Sequence, residues 1–218
     1  MIGEFTAALL RALKTFFRGL PLYFRQDFIS WLWPLPLVLA ALVYAGSDAN
    51  LFGWSDSDRA KDMMEILHPA LLATGALLSL MFWKVTADYS LGLMAAICSS
   101  CLGRELGGQG TSSILIVGLF LCIWYTDSHR EQMKSFLQSL WPRSLVALCF
   151  ISYAGSQLLD RSVIKHSGRL LSGDDEWNLP YSSNMEESME SFGGFCLLLA
   201  TLTLVVLIRR RHKMNTPR

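Results

Sequence analysis

The sequence predicts an all-α membrane protein: a six-transmembrane-helix bundle with an N-terminal amphipathic interfacial helix. Of the 218 residues, 52% are hydrophobic and only 17% are charged, whereas a soluble domain carries about a quarter charged residues. The apolar residues are also gathered into six runs, each close to the roughly 20 residues that cross a hydrocarbon core. Together these observations indicate a polytopic α-helical membrane protein.

Residues 1–29 predict a helix that lies on the membrane surface. Apolar residues recur there at helical spacing, while Arg11, Lys14 and Arg18 take the opposite side. Such a helix rests in the headgroup layer with its apolar face down. A cleaved signal peptide is the alternative, but its basic lead would be too long and its apolar run too late.

Residues 30–208 form the predicted transmembrane domain, and residues 209–218 form a basic cytoplasmic tail. The predicted spans are 30–47, 68–85, 89–103, 111–126, 144–159 and 184–208. The third span is short and rich in small residues, as expected of a helix that packs closely against others. A basic connector over 127–143 predicts a short helix on the membrane surface, and 162–182 predicts a polar loop.

The orientation follows from the distribution of Lys and Arg among the loops. If both termini are cytoplasmic, 13 of the 19 Lys and Arg residues lie inside and 13 of the 18 Asp and Glu residues lie outside. Cytoplasmic loops carry the excess of Lys and Arg. We therefore expect six spans with both ends of the chain in the cytoplasm.

Three carboxylates begin the last span: Glu186, Glu187 and Glu190. At about 100° per residue they share one helical stripe. The predicted topology brings other polar residues to the same outer level, namely Glu65, His68, Arg104, Glu105, Asp160 and Arg161. Charged groups at such a depth are costly unless they are paired or hydrated, so each needs a partner or a function.

These residues give two interpretations of the outer end. In one they form a site, with Glu187, Glu190 and Asp160 as candidate catalytic groups and with substrate-binding residues Arg104, Glu105, Arg161 and Glu186. The same oxygen ligands could hold a divalent cation. In the other they are structural: Ser183 and Glu186 form a capping box, and the charged neighbours form ion pairs. A lone His68 at a span end is expected to be an interfacial residue.

Three short patterns in the last 120 residues resemble those of bacterial inner-membrane proteins of unassigned function. They are R-E in the middle of the chain, D-R after the fifth span, and E-E-S-M-E-S-F-G at the start of the last span. The resemblance implies a protein of the bacterial cytoplasmic membrane with a similar topology, and it transfers no activity.

Cys98 and Cys101 form a C-x-x-C pattern near the outer end of the third span. A redox pair that exchanges electrons with a quinone is one interpretation, which envelope oxidoreductases resemble in this pattern alone. Those enzymes use a second cysteine pair in an outer loop, which this sequence lacks. Two small residues that pack within a tight helix are the alternative.

Three functional hypotheses follow. The first is a non-catalytic subunit, scaffold or regulator of an envelope membrane complex, which would partner the lipid bilayer and either another membrane protein or a second copy of itself. The second is an enzyme that acts on a lipid headgroup through the outward Glu and Arg residues. The third is ion or proton passage along the acidic stripe. The basic tail predicts contact with lipid headgroups and not with nucleic acid.

Overall fold

The computed structural model describes residues 32–51, 57–107, 112–160 and 163–215, together with Leu10 and Lys14. These residues are helical with short connections and contain no strand, which confirms the all-α class. The eight α-helices among them are α1 (Leu35–Asp48), α2 (Ser57–Thr86), α3 (Tyr89–Leu106), α4 (Ser112–Ser128), α5 (Lys134–Leu137), α6 (Leu140–Asp160), α7 (Val163–Ser172) and α8 (Ser182–Asn215). The amphipathic helix predicted over 1–29 lies outside the described residues.

Each predicted apolar run corresponds to one long helix, but the helices extend beyond several predicted ends. α2 begins at Ser57, well before the predicted start at His68, and α8 continues through the predicted tail to Asn215. Among the described residues, 62–86 and 182–211 are long and apolar enough by composition to cross a membrane. The shorter helices 35–48 and 116–128 are also apolar.

α8 lies at the centre of the bundle. It packs against α6, α2, α1, α3 and α5, while α2 also packs against α3 and α3 against α4. Its buried face includes Cys196, Leu197, Ala200 and Leu204. Small side chains at such positions allow neighbouring helix backbones to approach closely.

Polar contacts mark the two ends of the bundle. At one end, where α1 finishes and α8 begins, Asn184 Nδ2 donates to Ser47 Oγ at 3.3 Å. At the other end, Ser135 Oγ donates to Asp88 Oδ2 at 2.9 Å, and Arg211 donates to Ser135 Oγ at 3.1 Å. We call the first the Asn184 end and the second the Ser135 end.

One of the two longer connections contains the short helix predicted for it, and the other differs from its prediction. The 127–143 connector folds into a 3₁₀ turn, Arg130–Gln132, followed by the four-residue helix α5. Met133 and Phe136 are buried, so this connector packs into the Ser135 end. The predicted polar loop 162–182 contains the helix α7, because four apolar residues within it recur on one face.

Large apolar side chains cover much of the bundle exterior. On α2 these include Leu77, Met81 and Val85, and the exposed face of α4 carries Ile116, Val117, Leu119, Phe120 and Leu121. Monomeric soluble proteins rarely expose contiguous apolar patches of this kind. The exterior is therefore suited to an apolar surrounding.

Candidate functional site

Four ionisable side chains from three helices meet near the Asn184 end. His68 comes from α2, Arg104 and Glu105 from the last turn of α3, and Glu190 from the second or third turn of α8. His68 and Glu190 are almost fully buried, with 1% and 3% of their surface exposed. The side chains of Arg104 and Glu105 are 15% and 19% exposed, so the cluster is open on the side of α3. We call these four residues the His68 cluster.

Each of the two carboxylates has one oxygen near Arg104 and its other oxygen near His68. Arg104 donates to Glu190 Oε1 at 2.9 Å and lies 3.2 Å from Glu105 Oε1. The contact with Glu105 Oε1 is a charge interaction only, because that oxygen has no aligned hydrogen bond. The remaining oxygens face His68: Glu105 Oε2 and Glu190 Oε2 lie 3.7 and 3.9 Å from Nδ1. Both distances exceed the hydrogen-bond range.

α6 supplies two further polar groups to the cluster. The Tyr153 hydroxyl forms a hydrogen bond with His68 Nε2, and the Tyr153 ring lies 5.7 Å from the Arg104 guanidinium carbon. That separation is within the range of a cation–π interaction. Ser156 Oγ donates to Glu190 Oε1 at 2.8 Å. Glu190 therefore accepts hydrogen bonds from both α3 and α6, and the hydrogen bond at Nε2 orients the His68 ring.

Two adjacent glycines bring α8 against the aromatic residues of the cluster. A Cβ at Gly193 would lie 2.9 Å from Tyr153 Cε2, and a Cβ at Gly194 would lie 3.1 Å from His68 Cδ2. Both separations are shorter than ordinary van der Waals contact. The pair Gly193 and Gly194 therefore sets the distance between α8 and the rings of Tyr153 and His68.

The arrangement has the ligand types and spacing of a metal site. His68 Nδ1 and one oxygen each of Glu105 and Glu190 all lie within 4.8 Å of one another. A tetrahedral ion with bonds of about 2.1 Å separates neighbouring ligand atoms by about 3.4 Å, so only a small inward movement is needed. With His68 neutral and both carboxylates ionised, the four residues carry a formal charge of −1, and charge in a buried site is costly. A bound cation or proton would offset it.

The structure brings together only some of the residues that the sequence singled out. Arg104, Glu105 and Glu190 meet, whereas Glu186 lines a separate cavity one helical turn nearer the start of α8. Glu187 is half-buried on α8 and is not one of the four residues of the His68 cluster. Asp160 is the last residue of α6, but its side chain and the whole of Arg161 lie outside the described residues.

Three members of this site were not predicted as site residues from the sequence. His68 was placed at the outer level of the spans but interpreted as an interfacial residue, and Tyr153 and Ser156 were not singled out. A signal for the last two exists, since Ser152, Tyr153 and Ser156 place polar groups on the buried side of an otherwise apolar helix. Such groups need partners, and Ser152 Oγ donates to the Met189 carbonyl at 2.5 Å.

Cys98 and Cys101 lie in the core beside α2 and α8. Both thiols are free and buried, and Cys98 Sγ would be 3.1 Å from a Cβ at Gly75. Thiol exchange needs access to the sulfur. Their burial favours the packing interpretation over the redox one.

Comparison of the chain with protein-family models, curated proteins and solved structures finds no match. Function is therefore inferred from the geometry of the His68 cluster.

Proposed function

We propose that the chain is a multi-pass membrane protein that binds a divalent metal ion at the His68 cluster. In this proposal the six long helices cross the bilayer, both termini are cytoplasmic and the Asn184 end faces outward. The apolar exteriors of α2 and α4 support the membrane placement, because lipid can cover them without cost. The excess of Lys and Arg in loops at the Ser135 end supports the orientation.

One observation supports the cation site. Three potential ligand atoms lie close together, and the hydrogen bonds described for His68 and Glu190 are made by other atoms of those side chains. Arg104 and Ser156 engage the Oε1 atom of Glu190, and the Tyr153 hydroxyl engages Nε2 of His68. His68 Nδ1, Glu105 Oε2 and Glu190 Oε2 are left facing a common point. Outer-sphere hydrogen bonds that fix a histidine and a carboxylate in this way are typical of metal sites.

The ligand set favours a transition metal over calcium. One imidazole and two carboxylates suit Zn²⁺ or a similar ion, whereas Ca²⁺ takes six to eight oxygen ligands. The partial exposure of Glu105 and Arg104 gives water access to the ion from the Asn184 end. An ion with an open coordination position at that end could polarise a lipid phosphate. This chemistry is the one expected of an enzyme that acts on a lipid headgroup, the second hypothesis from the sequence.

The second candidate is a non-catalytic membrane subunit in which the same contacts only join helices. It is favoured by the fact that the His68 cluster with Tyr153 and Ser156 connects α2, α3, α6 and α8. Buried networks of this kind can fix one packing arrangement without any ligand.

Metal content separates the two candidates. We expect the full chain, purified in detergent without chelator, to carry close to one equivalent of a transition metal by inductively coupled plasma mass spectrometry. His68→Asn and Glu105→Gln should remove it, because each replaces an imidazole or a charged carboxylate by a neutral amide, which is a weaker metal ligand. His129→Asn is the matched histidine control, since His129 stacks on Tyr89 at the Ser135 end, and it should retain the metal.

A folded protein that carries no metal and binds none in titrations with Zn²⁺ or Mn²⁺ would exclude the metal site. Unchanged metal content in both His68→Asn and Glu105→Gln would place any ion elsewhere. Either result would favour the subunit interpretation of the cluster.

A further inference from the structure

A second site lies between α7 and the start of α8, outside the His68 cluster. The cavity there has a volume of about 300 Å³, and its lining residues are Leu159, Ile164, Lys165, Asn178, Leu179, Ser182, Ser183 and Glu186. Ligand pockets begin at about this size. The lining combines one cation, one carboxylate, one amide, two hydroxyls and apolar side chains, so it matches a ligand that carries both charges and an apolar part.

α7 carries an apolar face that is largely exposed among the described residues. Leu170 and Leu171 are 86% and 89% exposed, and Val163 and Ile164 extend the same face. At about 100° per residue these four residues fall on one side of the helix, and Lys165 and Arg169 fall on the other. A short amphipathic helix of this kind, with basic residues opposite the apolar side, is suited to the headgroup layer.

Two contacts fold the following segment back against α7. Arg169 Nε donates to the Trp177 carbonyl at 3.2 Å. A Cβ at Gly168 would lie 2.2 Å from the Trp177 ring, so only glycine lets the indole approach this closely. These contacts hold the connection between α7 and α8 against α7, and residues of both helices line the cavity.

We propose that this cavity binds the zwitterionic headgroup of a membrane phospholipid, with its phosphate beside Lys165 and its ammonium beside Glu186. Ile164 belongs both to the cavity and to the exposed face of α7, so the acyl chains continue from the cavity along Val163, Leu170 and Leu171. A lysine is a common partner of phosphate, and a carboxylate is the partner of an ammonium. Glu186 lies one turn before Glu190, about 6 Å along α8, so the headgroup would sit directly beside the His68 cluster.

This proposal rests on the membrane placement proposed above and is independent of the metal site. The test uses the full chain in nanodiscs of phosphatidylglycerol that contain a trace of phosphatidylethanolamine with a photoreactive acyl chain. A photoreactive phosphatidylglycerol of the same chain length serves as the second probe. Crosslinks are mapped by peptide mass spectrometry.

We expect the phosphatidylethanolamine probe to label the segment 163–186 about tenfold more than the phosphatidylglycerol probe. Phosphatidylglycerol has no ammonium, so it lacks one charge-assisted contact with Glu186. Glu186→Gln should remove this preference, and Lys165→Gln should lower labelling by both probes. Glu176→Gln is the matched control, because Glu176 is exposed in the same connection and does not line the cavity. It should leave labelling unchanged.

Equal labelling of 163–186 by both probes, or labelling that survives both Lys165→Gln and Glu186→Gln, would overturn the proposal. Complete displacement by an equal concentration of soluble phosphoethanolamine would also overturn it, because the site would then take a soluble zwitterion. Labelling of the apolar face of α4 by both probes reports the membrane placement separately. If α4 is labelled and 163–186 is not, only the headgroup site fails; if neither is labelled, the membrane placement fails as well.

Discussion

Tyr153 and Ser156 each hold one side chain of the His68 cluster from α6. Ser156 donates to Glu190, and the Tyr153 hydroxyl is hydrogen-bonded to His68 Nε2. Neither group faces the point where the three ligand atoms converge. They are therefore positioning residues, whose effect on a bound ion is exerted through Glu190 and His68.

Removing these outer contacts should weaken metal binding without abolishing it. We expect Tyr153→Phe and Ser156→Ala each to raise the metal dissociation constant by about 10- to 100-fold. Ser156→Ala should also lower the free energy of unfolding by about 1–3 kcal/mol, because the charged acceptor Glu190 loses one of its two donors. Isothermal titration with Zn²⁺ and thermal unfolding in detergent measure the two effects.

Tyr125→Phe is the matched control for Tyr153→Phe. The Tyr125 hydroxyl is buried near the Ser135 end without a hydrogen-bond partner among the described residues. Its removal should leave metal affinity unchanged and keep or slightly raise the unfolding temperature, since an unsatisfied buried hydroxyl is costly. Equal loss of affinity in both tyrosine variants would contradict the positioning role of Tyr153.

Gly193 and Gly194 determine how closely α8 packs against α6 and α2. The ring of Tyr153 is buried and rigid, so it cannot withdraw from a new methyl group as a flexible side chain can. Gly155, on α6, differs in this respect. A Cβ there would meet Met189 Cε at 2.2 Å, which is the far end of an unbranched side chain.

Alanine substitutions at these glycines should therefore have different effects. We expect Gly193→Ala to destabilise the bundle by about 1–3 kcal/mol through overpacking and to weaken metal binding, since Tyr153 must shift. Gly155→Ala should be close to neutral, because Met189 can move and alanine gains about 1 kcal/mol in helix propensity. Thermal unfolding of the two variants with and without Zn²⁺ compares them directly. Equal destabilisation would show that the flexibility of the neighbour does not decide the outcome.

The whole molecule has two polar ends and an apolar exterior between them. Six spans would place the connector 127–143 and the segment 173–181 on opposite sides of the membrane. Two spans, at 62–86 and 182–211, would leave both on the same side. The five native cysteines are buried, so introduced cysteines can be labelled selectively.

Cysteine labelling distinguishes these topologies. Asp175 and Glu131 are both exposed, one in each segment. With six spans and cytoplasmic termini, a membrane-impermeant maleimide should label Asp175→Cys in right-side-out vesicles and should label Glu131→Cys only after permeabilisation. Labelling of both variants in sealed vesicles would instead support two spans, and the reverse pattern would invert the orientation.

The sequence by itself determined the helices that contain the six apolar runs, because a run of apolar residues is a local property that any helical packing must bury or place in lipid. It also determined which polar residues lie near the same level of the bundle, and Arg104, Glu105 and Glu190 were predicted on that basis. It could not assign them to one cluster. The rotation of each helix about its axis and the order of neighbours depend on contacts between distant segments, such as Gly194 against His68 and Gly193 against Tyr153.

Only the tertiary structure showed that Glu186 and Glu190 of the acidic stripe belong to two different sites. Glu186 and Glu190 are about 40° apart on one helix, so the sequence places them on the same face. They are also about 6 Å apart along the axis, and different neighbours meet them at the two levels. Glu186 lies beside the cavity that Ile164 and Lys165 of α7 line, whereas Glu190 contacts Arg104 of α3 and Ser156 of α6.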